Sequence, residues 1–458
     1  MSRVTLRLLM GLIACGIGVS GCAPGDPGAP GVDVTAAAPV AGTEPGEAET
    51  GMNRMAEAYV RLALALGRHD ADYVDAYSGP DEWKASAERE RKPLATIRGE
   101  AAPLIDRLAR LDLSGEQEIV RLRREYLSKQ LQAMITRVDM QQGARLSFDE
   151  ESRALYGAVS PHHPESHYQA LLERLEAKLP GEGSVVERYV RFKEAYVIPP
   201  ERLNEVFSAA IEEARRRTRQ HLDLPERESF VVGYVTGKPW SGYNWYKGNG
   251  HSLIEVNTDL PIHIDRAVDL ACHEGYPGHH VYNVLLEHHL AKGRGWVEFS
   301  IYPLFSPQSL ISEGSANFGR EVAFAPDERL AFERDVLFPL AGLDPQGVER
   351  YYEVLDLAKR LRYAGNDAAR RYLDGEIDKR EAVEFLNHYA LMSTDHAEQR
   401  IEFIDKYRSY VINYNLGEDL VKAYIEGRGG TAGDAAKRWQ EFGRLLASPR
   451  LLSGLGAS

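Results

Sequence analysis

The segment that most constrains the fold is Ala271–Tyr282, which reads Ala-Cys-His-Glu-Gly-Tyr-Pro-Gly-His-His-Val-Tyr. Three histidines and one glutamate fall within eight residues, and a Pro-Gly pair separates the first histidine from the other two. On a regular helix, His279 lies roughly 240° around the axis from His273, and His280 lies about 10 Å farther along it. An uninterrupted helix therefore cannot bring two of these rings to one point.

An interruption at Pro277–Gly278 removes this difficulty. Proline lacks a backbone donor and clashes with the preceding turn, and glycine tolerates unusual dihedral angles. A two-residue bulge there would bring His279 to the place that a residue one turn after His273 normally holds, and such bulges are frequent at functional sites. Two histidines one turn apart, with Glu274 directly after the first, form the pattern of a helical zinc site. The alternative is a surface helix end that carries a histidine cluster.

A second motif runs from Ser312 to Glu321 and reads Ser-Glu-Gly-Ser-Ala-Asn-Phe-Gly-Arg-Glu. Many zinc hydrolases complete the site with a glutamate from a following helix, which makes Glu313 the predicted third ligand. Asn317 lies one turn on, on the same helix face, where a partner for a ligand histidine would sit. Glu321 lies two turns beyond Glu313 and could face the same site. The alternative for Glu313 is a carboxylate that stabilises the N-terminus of its helix.

Together the two motifs resemble the bacterial family known as domain of unknown function 885. That family is similar to helical zinc peptidases such as carboxypeptidase Taq, the oligopeptidases and angiotensin-converting enzyme. In those relatives a glycine directly precedes the second ligand, which favours His279 over His280. Two positions depart from the family: Ser315 stands where tryptophan is usual, and Arg320 stands where a second glutamate is usual, with Glu321 one residue later.

The resemblance implies a zinc-dependent hydrolase, with Glu274 as the general base and one Zn²⁺ held by His273, His279 and Glu313. Related peptidases place a tyrosine or histidine from a late segment over the scissile carbonyl. The segment Tyr410–Gly417 is similar to a tyrosine-containing segment of the family, and Tyr414 is the first candidate for this role. The other candidates are Tyr410, His388 and His396. The relatives enclose the site between helical halves, which favours short peptides as substrates.

Two other functions use the same residues. One is hydrolysis of a non-peptide amide or of a cell-wall peptide cross-link. The other is a non-catalytic lipoprotein that keeps the fold and binds peptides or partners, although an intact Glu274 argues against it. The net charge of −13 makes nucleic acid a poor candidate partner.

Residues 1–21 predict a bacterial lipoprotein signal, because two arginines precede the apolar run Leu8–Val19, which is too short to span a bilayer comfortably. The run leads into Val-Ser-Gly-Cys, which resembles a lipobox, so Cys22 is the predicted lipidation site; the alternative is an ordinary signal peptide cut nearby. Ala23 follows the cysteine, a pattern that predicts an outer-membrane lipoprotein facing the periplasm. Residues 22–50 have almost no large apolar side chains and predict a flexible tether.

Residues 51–458 predict one large, mainly α catalytic domain, which the resemblance makes a zincin-like helical body. The predicted helices are Met52–Leu66, Ala101–Leu111, Glu116–Gln142, Ser166–Leu179, Pro200–Leu222, Glu328–Leu340, Val348–Tyr363, Lys379–His388, His396–Tyr410 and one within Gly429–Leu446. Ser229–Thr236 and His251–Asn257 read as strands, and the stretch 244–250 between them, which ends in Gly-Asn-Gly, predicts their hairpin connection. We expect one small antiparallel sheet beside the metal helix. By the same resemblance, its edge would bind an extended peptide. Cys272 is expected in the core.

Overall fold

The structure, a computed structural model, describes residues 46–452. The predicted signal peptide, Cys22 and most of the predicted tether lie outside the described residues. The first helix begins at Glu47, so the last residues assigned to the tether are helical. Within residues 46–452, none of the helices is both long enough and apolar enough to cross a lipid bilayer.

Helices make up most of the described chain, which confirms the predicted mainly α fold. The helices are α1 Glu47–Leu66, α2 Asp81–Glu90, α3 Leu94–Ala109, α4 Glu118–Gln141, α5 Phe148–Tyr156, α6 Glu165–Glu176, α7 Val185–Glu194, α8 Leu203–Arg219, α9 Asp265–Leu270, α10 His279–Leu285, α11 Pro307–Ala323, α12 Pro326–Phe332, α13 Phe338–Ala341, α14 Val348–Lys359, α15 Ala364–Leu373, α16 Lys379–Ala390, α17 Thr394–Tyr407, α18 Ile412–Gly427 and α19 Ala435–Leu446. Wider π-helical turns follow α9, α10 and α12 at Ala271–Gly275, Leu286–Lys292 and Glu333–Leu337. Tighter 3₁₀ turns lie at Pro200–Arg202, Val297–Ser300, Pro345–Gly347 and Arg408–Val411.

The strands form two small sheets where the sequence predicted one. The strands are β1 Val74–Tyr77, β2 Ser229–Val235, β3 Gly242–Gly248, β4 His251–Asn257 and β5 Ile301–Pro303. β1 pairs with β5 in an antiparallel ribbon, and the other three strands form a sheet in the order β2-β4-β3. In the larger sheet β4 is antiparallel to β3 but parallel to β2, so the prediction of a purely antiparallel sheet is wrong.

The turn at Asn249-Gly250 explains why β2 and β4 are parallel. Both residues have positive φ, 55° and 74°, as the central positions of a type I′ hairpin turn require. This turn joins β4 to β3, the strand directly before it, and the stretch predicted as a connection is itself mostly strand. The chain therefore reverses twice between β2 and β4, and these two strands run in the same direction.

Helices α11 and α18 cross at a very short distance, which the glycine at each crossing point permits. A Cβ atom on Gly314 would overlap the backbone of Gly417, and a Cβ on Gly417 would lie 2.7 Å from the carbonyl oxygen of Leu310. This crossing brings the residue before Gly314, which is Glu313, close to the start of α18 and to the 3₁₀ turn that precedes it. The remaining side of the site comes from the segment between α9 and α10.

Candidate metal centre

The chain leaves its helix between α9 and α10, at the Pro-Gly pair where the sequence predicted an interruption. The form differs from a two-residue bulge: the helix widens at Ala271–Gly275, breaks, and begins again at His279. The backbone N–H of Gly278 donates to the carbonyl of Cys272 at 2.9 Å. A Cβ atom on Gly278 would overlap the carbonyl of His273, so the break requires glycine at this position.

This break brings three donor atoms together. The Nε2 atoms of His273 and His279 lie 3.1 Å apart, and Oε2 of Glu313 lies 3.2 Å from the first and 3.6 Å from the second. Ligands about 2.0–2.2 Å from a tetrahedral Zn²⁺ lie roughly 3.4 Å from one another. Glu313 Oε2 is buried and has no hydrogen-bond partner among the described residues. The donor set, its spacing and this unpaired oxygen therefore fit a zinc ion with three protein ligands.

Each of the three side chains is fixed by a partner on its far atom. The contacts are Asn317 Oδ1 to His273 Nδ1 at 2.9 Å, Ser312 Oγ to His279 Nδ1 at 3.0 Å, and the Tyr410 hydroxyl to Glu313 Oε1 at 2.7 Å. The amide nitrogen of Asn317 donates to the carbonyl of Tyr414 at 2.7 Å, so its oxygen faces His273 and accepts from Nδ1–H. The lone pair of His273 Nε2 is thereby directed at the other two donors. Such partners orient ligands and raise their basicity.

The electrostatics of the cluster favour a cation at its centre. Burial on its own raises the pKa of Glu313, but His279 and His273 outweigh burial and hold that pKa well below its usual range. Burial likewise lowers the pKa of His279, yet the nearby carboxylates of Glu313, Glu274 and Asp75 raise it to about 9. The site therefore stabilises positive charge, which a proton on His279 supplies in the metal-free chain.

Glu274 provides a carboxylate beside the three donors. Its Oε2 is buried without a hydrogen-bond partner among residues 46–452, and donor atoms of Glu274, His273 and His279 lie within 4.8 Å of one another. The carbonyl of Glu274 accepts from the side-chain amide of Asn244 on β3 at 2.7 Å. A carboxylate on a fixed backbone, with one unpaired oxygen next to a metal site, is positioned to exchange a proton with a neighbouring molecule.

A cavity of about 510 Å³ opens in front of this cluster. Of the candidates from the late segments, Tyr410, Tyr414 and His396 line it. The ring of Tyr414 lies 6.4 Å from that of His273, and its hydroxyl makes no hydrogen bond to the described residues. The Tyr410 hydroxyl, in contrast, is engaged with Glu313.

Three other predicted residues lie away from the cavity. His280 is fully buried on the opposite side of its helix, where Nδ1 contacts Ser252 Oγ at 2.8 Å and Nε2 contacts Glu228 at 2.9 Å. Glu321 forms ion pairs with two lysines, at 3.2 and 2.9 Å, and does not line the cavity. His388 is exposed on α16.

Several residues of the site were not singled out from the sequence. They are Ser312 beside His279, Asp75 on β1, Tyr243 on β3 and Arg400 on α17. The Tyr243 hydroxyl donates to the Asp75 carboxylate, and burial raises the pKa of Asp75 to about 6. Of these residues only Ser312 has a local signal in the sequence, because it directly precedes the predicted ligand Glu313.

Comparisons with known proteins find only distant similarity to solved structures. No family model matches the chain, and no curated protein matches it, so the resemblance to domain of unknown function 885 stays a prediction. Among solved structures, a protein from Colwellia psychrerythraea assigned as a lipoprotein has 15% identity and a TM-score of 0.47, over 90% of this chain and 75% of that one. The M32 carboxypeptidase from Deinococcus radiodurans R1 has 14% identity and a TM-score of 0.42, over 88% and 93%. At this level of similarity, function has to be inferred from the site itself.

Proposed function

We propose that this protein is a zinc-dependent hydrolase, most simply a peptidase that acts on short peptides in the cell envelope. The observation that supports this proposal is the triangle formed by the donor atoms of His273, His279 and Glu313, with the unpaired carboxylate oxygen of Glu274 beside it. The envelope location rests on the predicted lipidation of Cys22.

The metal would be held by Nε2 of both histidines and Oε2 of Glu313. A bound Zn²⁺ with one open position supplies a Lewis acid that polarises a carbonyl group and lowers the pKa of water. Asn317 and Ser312 keep the imidazole rings turned toward the metal, because each occupies the other ring nitrogen. The protein thus supplies neutral histidines and one carboxylate, a combination found in catalytic zinc sites.

Glu274 takes the proton of the attacking water and passes it to the leaving amine. Its free Oε2 is available for this transfer, and the bond from Asn244 to its carbonyl fixes its position relative to β3. General acid–base catalysis of this kind contributes about 10²–10⁴ in rate.

Tyr414 donates a hydrogen bond to the oxyanion that develops on the scissile carbonyl. Its hydroxyl makes no hydrogen bond to the described residues and its side chain lines the cavity, whereas the hydroxyl of Tyr410 donates to Glu313. Burial raises the pKa of Tyr414, so the hydroxyl stays protonated and able to donate at neutral pH. The two tyrosines therefore have separate roles, one on the reacting atoms and one on a ligand.

The form of the cavity favours a small, extended substrate. Its volume lies within the range of about 300–1,000 Å³ that is typical of small-ligand sites. β3 is an outer strand of its sheet, and Gly242, Tyr243 and Asn244 at its start line the cavity. An extended peptide can pair with an outer strand through main-chain hydrogen bonds, and such pairing suits many sequences.

The test combines metal analysis with substrate screening. We expect one zinc per purified chain, hydrolysis of short peptides from a random library, loss of hydrolysis with a chelator and recovery when zinc is restored. A zinc-loaded protein that cleaves non-peptide amides or cell-wall cross-links instead would establish the amidase alternative. Peptide binding without hydrolysis would establish the non-catalytic one, and a chain that binds no zinc would overturn the proposal.

A further inference from the structure

One face of α17 forms a wall of the cavity. Its cavity-lining residues recur at spacings of three and four, which places them on a single face of the helix. They are His396, Gln399, Arg400, Phe403 and Tyr407. Arg400 is the cation on this face, and it is half-buried.

Arg400 has no acceptor within the described part of the chain. Its Nε is buried without a hydrogen-bond partner, and no carboxylate pairs with its guanidinium. The other two arginines that line the cavity are compensated: Asp269 lies 2.9 Å from Arg320 and 3.6 Å from Arg266. Burial lowers the pKa of Arg400 from its ordinary value, as expected for a cation that lacks a counter-ion. An unpaired, half-buried guanidinium of this kind can bind an anionic group of a ligand.

Aromatic rings hold the guanidinium in place. Its central carbon lies 4.9 Å from the ring centroid of Phe403 and 5.9 Å from that of Tyr414. Cation–π contacts of this kind stabilise an arginine without using its N–H donors. Tyr414 in turn lies 6.4 Å from the ring of His273, so a single aromatic side chain separates Arg400 from the proposed metal ligands.

We propose that Arg400 binds a carboxylate of the substrate, and that this contact decides which bond is presented to the metal. The planar guanidinium offers paired N–H donors whose spacing matches a carboxylate, and such pairs are among the strongest hydrogen bonds in proteins. The proposal rests on the proposed hydrolase function and adds its substrate class: peptides or amides that carry a carboxylate close to the cleaved bond. That carboxylate is either the C-terminus of a peptide or an acidic side chain.

Matched peptides distinguish the two sources. The probes are acetyl-Ala-Ala-Phe-Ala with a free C-terminal carboxylate, the same peptide as its C-terminal amide, and acetyl-Ala-Ala-Phe-Asp amide. We expect the wild-type kcat/KM to be about ten- to a hundred-fold higher for one of the two carboxylate peptides than for the neutral amide. A higher rate for the first identifies the C-terminus, and a higher rate for the third identifies the side chain. Equal rates for all three overturn the proposal.

The variants Arg400→Gln and Arg266→Gln form a matched pair. Both remove a cavity-lining guanidinium, but that of Arg266 is already engaged with Asp269 and with Ser241 Oγ at 3.2 Å. We expect Arg400→Gln to bring the ratio of carboxylate to neutral rates close to one, mainly through KM, with zinc content unchanged. Arg266→Gln should keep the wild-type ratio. The reverse result, or equal losses in both variants, contradicts the assignment of Arg400.

A binding measurement separates this proposal from the hydrolase proposal. Zinc-loaded Glu274→Gln protein is titrated calorimetrically with the same three peptides, and the double variant Glu274→Gln/Arg400→Gln is treated in parallel. If a carboxylate peptide binds more tightly than the amide and the double variant loses this difference, the role of Arg400 stands even if the wild type hydrolyses nothing. If both proteins bind the three peptides alike, Arg400 does not recognise a carboxylate, whatever the wild-type protein cleaves.

Discussion

His279 and His280 are adjacent in the sequence but belong to two different polar clusters, one on each side of the same helix. On the cavity side, His279 lies with His273 and Glu313. On the opposite side, which we call the rear cluster, His280 lies with Glu228, together with Ser252, Tyr276, Arg215 and Arg219. Both clusters combine histidine with buried glutamate, so residue type alone does not separate them.

The two clusters differ in whether their polar atoms have partners. In the rear cluster, Glu228 accepts from His280 and Tyr276 on one oxygen and from the two arginines on the other. In the cavity cluster, one carboxylate oxygen of Glu313 and one of Glu274 are buried without a hydrogen bond from the described residues. Buried polar atoms are normally paired, and the exceptions concentrate where a ligand or ion binds. We therefore infer that the rear cluster stabilises the fold and that the cavity cluster carries the proposed chemistry.

The largest expected effect tests this assignment through the two neighbouring histidines. His279→Ala should lose zinc and all hydrolysis, because it removes one of the three proposed ligands. His280→Ala should keep one zinc per chain but unfold more easily, by about 1–3 kcal/mol, because Glu228 loses a buried partner. Metal analysis of both variants measures the zinc content, and urea denaturation measures the free energy of unfolding. Zinc retained by His279→Ala and lost by His280→Ala would reverse the roles of the two clusters.

The next effect concerns Glu274, which faces the cavity without binding the metal in our assignment. Glu274→Gln keeps the shape of the side chain but cannot accept a proton. We expect normal zinc content and a kcat lowered by about 10²–10⁴. The matched variant Glu228→Gln in the rear cluster should leave kcat within a few-fold of the wild type. If Glu274→Gln loses zinc together with activity, the residue is a ligand or a structural element instead.

A smaller effect is expected from the two tyrosines. Tyr414→Phe removes the proposed oxyanion donor and should lower kcat by about 10²–10³, with KM and zinc content little changed. Tyr410→Phe removes the partner of Glu313 and should weaken zinc affinity by about 10–100-fold, while activity recovers when zinc is saturating. Competition with a zinc chelator measures the affinities. A Tyr414→Phe enzyme with unchanged kcat rejects the role of Tyr414.

The sequence predicted the helices correctly where the apolar periodicity extended over several helical turns. Every stretch predicted as helix contains one, because an apolar stripe repeated over several turns is a strong signal. Two of the helices outside those stretches illustrate the limits: α7 buries none of its residues, and α18 contains buried asparagines and the glycine of its close crossing with α11. The predicted pairing of the strands was wrong for another reason. The turn at Asn249-Gly250 was recognised, but periodicity does not say which strand it joins to β4.

The residues of the site also differ in how far apart they lie in the sequence, and this difference decided which of them were predicted. Gly278, His279, Glu313 and Asn317 lie together as their spacing along two helices suggested, once the Pro-Gly break is taken into account. Arg400 and Asp75 reach the cavity from α17 and β1, far away in the chain, so nothing near them in the sequence indicates the contact. The expected bulge and the family resemblance both favoured His279 over His280, but the sequence did not indicate the role of His280, because its partner Glu228 comes from a distant segment.

The smallest predicted effect is the pH dependence that the rear cluster gives to stability. Burial raises the pKa of Glu228, but hydrogen bonds from His280, Tyr276 and the two arginines outweigh burial and lower it from 4.5 to about 2. Because the folded-state pKa lies below the unfolded value, ionised Glu228 stabilises the fold above pH 4.5, and this stabilisation is lost as the pH falls from 4.5 toward 2. After allowance for solvent screening, its size is on the order of 2 kcal/mol.

This dependence is measured on metal-free protein, so that release of zinc in acid does not contribute. At pH 7, Glu228→Gln should unfold in urea with a free energy lower than that of the wild type by about 2 kcal/mol, and the difference should shrink steadily between pH 4.5 and the lowest pH at which both proteins fold. The Glu173→Gln variant serves as a control for carboxylates outside both clusters, since Glu173 is exposed on α6 and forms no ion pair with the described residues. A difference between Glu228→Gln and the wild type that stays constant with pH would mean that Glu228 acts through shape and hydrogen bonding, and not through its charge.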